Sequence, residues 1–158
     1  MTRIDYYKVA PGGIKALHAL EQYLRASGLK PGLIELVKVR ASLMNGCAYC
    51  VDIHTKDARA RGETEQRLFA VPVWHETPFF SPRERAALAW TEAVTNIARS
   101  GVSEALYDEA RTQFTDKELV DLTMAVIAIN AWNRLGVTFR PEVGSYKPAS
   151  VTAASRPL

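Results

Sequence analysis

Two cysteines, a histidine and a glutamate carry the reactive side chains of this sequence at telling intervals. The only cysteines lie three residues apart, in Cys47-Ala48-Tyr49-Cys50. His54 follows Cys50 by four residues, and Glu35 precedes Cys47 by twelve. On a helix turning about 100° per residue, Cys50 and His54 fall at roughly −60° and −20° from Cys47, so all three share one face. The thiolate is the nucleophilic form, and a free thiol with a pKa near about 8.5 is mostly protonated at neutral pH. Unpaired backbone N–H groups in a first helical turn favour negative charge there. His54, one turn beyond Cys50, is placed to serve that thiol as a base. Cys50 is thereby expected to be the nucleophile, and Cys47 the partner that closes a disulfide. Such a pair suits reversible peroxide chemistry, because the resolving thiol traps a sulfenic acid before it oxidises further.

Glu35 sits in an almost wholly apolar stretch, and across a helical hairpin it would face His54 and support the positive imidazole. It could also relay protons itself, while an ion pair with Lys38, three residues on, is the plain structural alternative. A zinc staple is the rival use of Cys47, Cys50 and His54, with His75 as the distant fourth ligand. A c-type haem would need a histidine directly after the second cysteine, where this chain has Val51. His18 and His75 are otherwise expected to be structural. Asn130 and Asn133 should cap a neighbouring helix or pair across a subunit interface, since buried amides need partners. Trp74, Phe79, Phe80, Trp90 and Trp132 are expected in the core or an interface. Phe79 and Phe80 are also candidates for a substrate mouth, as is Tyr49, whose plain alternative is a surface position.

Helix signals recur along the chain and strand signals do not, so the fold class is all-α, with about six or seven helices. A first helix follows Pro11-Gly12-Gly13 and stops at Gly28; a second runs from Pro31 to Asn45-Gly46, apolar nearly all round and therefore buried. A third starts near Cys47 and ends at Gly62, which puts the cysteine pair at the N-terminus of a central helix. Shorter helices are expected over 64–71 and from Ser103. Ser81-Pro82-Arg83-Glu84 and Thr115-Asp116-Lys117-Glu118 read as capping boxes. The second of these launches the most apolar helix, expected over Leu119 to Leu135 with Gly136 as its stop. Residues 1–140 read as one domain and 141–158 as a loosely ordered tail that could lie on a partner subunit.

At 158 residues and net charge +3, with its basic residues scattered, the chain argues against a nucleic-acid partner. It has no stretch of about 18 apolar residues for a membrane span and no apolar leader, so a cytoplasmic location is expected. Two closely spaced cysteines do not make the framework of a secreted protein. With no second thiol pair and no dinucleotide-binding glycine motif, no cofactor is expected and the electrons must come from another molecule.

Glu35, eleven residues, Cys47-x-x-Cys50, three residues and His54 reproduce the E-x11-C-x2-C-x3-H pattern of the alkylhydroperoxidase D-like proteins of the carboxymuconolactone decarboxylase superfamily. The segments Val37–Gly46 and Thr55–Arg59 also resemble that family's core. The resemblance is strong over about residues 32–67 and only general in the later helices. It implies an all-helical fold assembled as trimers or hexamers, and peroxide as the substrate. It also implies Cys50 as attacker, Cys47 as resolver, Glu35 and His54 as proton relay, and an external dithiol of protein or lipoyl type as reductant. Some members carry a second histidine inside the pair, where this chain has Tyr49, whose ordinary pKa of about 10 unfits it for that role at neutral pH. A lyase of the decarboxylase branch is the remaining alternative, and that branch generally lacks the cysteine pair.

Overall fold

The computed structural model describes residues 2–149, and these contain helices and no strands. Nine α-helices are present: α1 (Tyr6–Val9), α2 (Pro11–Ala26), α3 (Pro31–Met44), α4 (Ala48–Ala60), α5 (Glu65–Ala70), α6 (Pro82–Thr95), α7 (Ile97–Ser100), α8 (Glu104–Gln113) and α9 (Asp116–Phe139). A 3-10 segment, Val71–Glu76, links α5 to α6. The count exceeds the six or seven expected because α1 and α7 are single turns, too short to show periodicity. Asn96 (φ −97°, ψ 22°) is what separates α7 from α6.

Local chemistry starts the helices, although α2 begins at Pro11 rather than after Gly13 and α9 at Asp116 rather than Leu119. Proline opens α2, α3 and α6, its fixed φ and missing N–H costing nothing in a first turn. Ser81 and Thr115 form complete capping boxes with Glu84 and Glu118. The end of α9 departs from expectation: the helix passes through Gly136 and stops at Phe139, with Arg140 in the left-handed conformation (φ 51°).

Helix α3 is the centre, packing against α4, α6 and α9. Eight of its residues from Leu33 to Ser42 besides Val37 are buried, Glu35 and Lys38 among them. A larger core joins α2, α3, α6, α8 and α9 through residues such as Leu24, Val37, Leu122 and Val126. A second lies under the 3-10 segment, around Leu36, Val71, Trp74 and Phe80. The third is small: Ala41, Cys47, Cys50 and Ile129, flanked by Tyr49 and Trp132. Each fully buried aliphatic side chain contributes about 1.5–3 kcal/mol relative to exposure. Past α9 the described chain, up to residue 149, folds back onto α4. Gly144 N donates to Asp52 Oδ2 at 3.1 Å, and Lys56 Nζ donates to the carbonyls of Gly144 and Tyr146, each at 3.1 Å. The rest of the expected tail lies outside the described residues.

Candidate active site

The site begins at the turn between α3 and α4. Gly46 adopts φ 65°, a left-handed conformation that suits glycine. The turn closes when Cys47 N donates to Ser42 O at 3.0 Å. Three asparagines then fasten it to α9. The Asn45 amide donates to Asn133 Oδ1 (2.8 Å) and Asn130 Oδ1 (3.1 Å), and Asn133 Nδ2 donates to Ser42 Oγ (3.0 Å). Asn130 Nδ2 donates in turn to Val126 O and Thr95 Oγ1. The two asparagines of α9 therefore anchor a turn within their own chain.

Cys47 occupies the N-cap of α4, and its Sγ accepts from Cys50 N at 3.3 Å. Both sulfurs thus sit at the positive end of the α4 dipole, where negative charge is favoured. They are joined as a disulfide, with Cα atoms 5.3 Å apart, inside the usual span for such a bond. Cys47 is 1% exposed and Cys50 3%.

His54 lies one turn on, and its Nδ1 is 2.9 Å from Glu35 Oε2 on α3. The hairpin therefore makes the pairing expected across it. The alternative pairing of Glu35 with Lys38 does not form: Lys38 Nζ binds Glu21 on α2, at 2.5 Å. Burial pushes the Glu35 carboxyl up. The His54 hydrogen bond and the charges of His54, Lys38 and Arg61 outweigh that, so its pKa lies below the ordinary carboxylate value. An ionised carboxylate can only accept, so His54 Nδ1 carries the proton and Nε2 is left for chemistry. A lowered pKa keeps Glu35 ionised, a charge that orients the imidazole.

These groups open onto a cavity of about 490 Å³ lined by Cys50, His54 and Glu35, whereas Cys47 is not among its lining residues. Tyr49 and Trp132 line it, with Leu24, Ile34 and Ile53 among the apolar walls. Tyr146 reaches it from beyond α9, donating to Asp57 Oδ1 at 2.7 Å. Burial, then the Asp57 hydrogen bond, raises the Tyr146 hydroxyl pKa. Sequence reasoning missed Tyr146, about 90 residues away along the chain, and Asp57, which lies three residues after His54 and was legible as a face-mate. It also gave His18 no part, yet His18 lines the cavity.

The aromatics divide: Phe80 is buried in the second core cluster, as its core reading expects, while Phe79 is exposed, and neither lines the cavity as the mouth reading would have it. His75 stacks on Trp74 and lies 3.8 Å from Glu92, rather than completing a ligand set with the cysteines. Among the described residues, the group spaced to hold a cation is Glu35, His54 and Asp57, with donor atoms within 4.8 Å of one another. A cation there would compete with Arg61, 3.9 Å from Glu35 Oε1, and with the existing hydrogen bonds.

Comparison with known proteins bears on the family and the fold. Residues 11–93 match the carboxymuconolactone decarboxylase family. The uncharacterised protein YdfG of Bacillus subtilis is 42% identical over 135 residues, covering 85% of this chain and 92% of that protein. A crystal structure from Agrobacterium tumefaciens, ATU0492, a protein of unknown function described as a putative antioxidant defence protein AhpD, superposes with a TM-score of 0.86. It is 45% identical and covers 94% of this chain and 99% of its own. The debrominase Bmp8 shares the fold alone, with a TM-score of 0.76 at 18% identity over 85% of this chain and 73% of its own. A helical scaffold matched over more than half its length, and relatives close in sequence along nearly the whole chain, lead to one conclusion: this chain belongs to the carboxymuconolactone decarboxylase family.

Proposed function

We propose that the protein is a thiol-dependent peroxidase of the alkylhydroperoxidase D-like type, cycling between the Cys47/Cys50 dithiol and disulfide. The observation that carries this reading is the asymmetry of the pair. Cys50 lines the cavity with His54 and Glu35, while Cys47 lies behind it, bonded to it and away from the cavity.

In the cycle, the Cys50 thiolate attacks the distal oxygen of a hydroperoxide. The O–O bond breaks, and the departing alkoxide takes a proton through His54 to leave as alcohol, or as water from hydrogen peroxide. Cys50 becomes a sulfenic acid, oxidised by two electrons. The Cys47 thiol condenses with it, releasing water and forming the S–S bond. An external dithiol, of protein or lipoyl type, returns two electrons and two protons by thiol–disulfide exchange. Glu35 holds the imidazole in the tautomer that leaves Nε2 available. A cytosolic, reducing location fits that demand for electrons.

The test is to titrate the reduced protein with hydrogen peroxide and with an organic hydroperoxide, following free thiols and intact mass. Wild type should lose two thiols per peroxide consumed. Cys50→Ser should consume none, and Cys47→Ser should turn over once and hold a sulfenic acid. Full activity in Cys50→Ser would overturn the assignment.

A further inference from the structure

Gly136 has no conformational reason to be glycine. It lies inside α9, is buried, and is absent from the positive-φ glycines. Glycine is the poorest helix former after proline, so a local rule is broken here, beside the cysteine pair. A Cβ at Gly136 would stand 2.6 Å from Cys47 Sγ and 3.4 Å from Cys50 Sγ, whereas a Cβ at any other glycine of the described residues meets nothing within 4 Å.

We propose that Gly136 is a positioning residue for the dithiol: its missing side chain is the seat of the Cys47 sulfur when that sulfur is bonded to Cys50. The contact distinguishes the two oxidation states. As a free thiol, Cys47 can turn about its Cα–Cβ bond away from an intruding methyl group. Bonded to Cys50, its sulfur cannot. Helix α9 has little freedom to retreat either, because Asn133, three residues before Gly136, is tied to Ser42 and Asn45 at the end of α3, just before Cys47. Ala41 and Ile129 are clustered with the same two cysteines in the core. Any side chain at 136 therefore opposes the disulfide more than the dithiol.

The inference rests on the peroxidase reading only for the biological use of the disulfide. Its test contains no peroxide, so the two can fail separately. Wild type and Gly136→Ala are equilibrated in graded mixtures of reduced and oxidised glutathione, quenched by alkylation and read by intact mass. In this exchange two glutathione thiols become one glutathione disulfide as the Cys47–Cys50 bond is reduced. The expected result is a shift of at least tenfold in the equilibrium constant toward the dithiol, about 30 mV in potential. An unchanged constant would overturn the proposal.

A second measurement guards against a folding defect. Gly136→Ala should lower the Tm of the oxidised protein and leave that of the Cys47→Ala protein unchanged or higher. An equal loss in the Cys47→Ala background would mean that the glycine serves helix packing and would also overturn the proposal. Should Gly136→Ala fail to fold, rescue by Cys47→Ala supports the proposal, and no rescue defeats it.

Discussion

At the scale of single residues, Glu35 shows how two opposing effects are decided. Burial alone would hold its proton on, yet the imidazole at 2.9 Å and the cations nearby win, and its pKa falls. A folded-state pKa below the unfolded value gives stability that is complete above the ordinary carboxylate range and is lost as pH falls through the folded value. Glu35→Gln should therefore flatten the acid limb of stability. Between pH 7 and pH 3, urea unfolding should show a smaller loss for the variant than for wild type. The same change removes the charge that orients His54, and thiol oxidation by peroxide at pH 7 should slow by about tenfold or more. A variant matching wild type in both respects would leave Glu35 without the role given to it.

At the scale of elements, the α3–α4 hairpin brings Glu35 to His54, and α9 holds the hairpin in register. The Asn45–Asn133–Ser42 hydrogen bonds are the clasp. Asn133 is 1% exposed, so Asn133→Ala leaves polar partners unmet inside the protein. That should cost about 1–3 kcal/mol in urea unfolding with the thiols reduced. It should also slow closure of the disulfide, because the turn carrying Cys47 loses its hold on α9. By contrast, Thr115→Ala removes an N-cap far along α9 and should cost about 1 kcal/mol without altering thiol chemistry.

At the scale of the whole molecule, α9 carries apolar residues on two sides. Its buried side supplies the core and the cysteine contact. Its outer side exposes Val120, Met124 and Ile127, spaced four and three residues apart along one face. This stripe supports the proposal that the chain assembles as a homo-trimer or homo-hexamer. Met124→Lys should then reduce the solution mass toward that of a 17.5 kDa monomer in light scattering. An unchanged assembly would move the interface elsewhere. No helix among the described residues is long and apolar enough to cross a membrane.

What the sequence determined by itself is local. Helical class, the helix starts signalled at Pro31, Ser81 and Thr115, and the shared face of Cys47, Cys50 and His54 all follow from neighbours within a turn or two, whose geometry is nearly independent of the rest of the chain. Single turns such as α1 and α7 were illegible because four residues show no period. Gly136 was misread for a related reason. A mid-helix glycine looks like a stop until the sulfurs of another helix are known to lie against it. Only the tertiary structure decided which sulfur faces the cavity, that Lys38 would take Glu21 and leave Glu35 to His54, and that Tyr146 would close one wall. Those outcomes depend on packing between segments far apart in the chain, where many pairings satisfy the same local pattern and burial selects one of them.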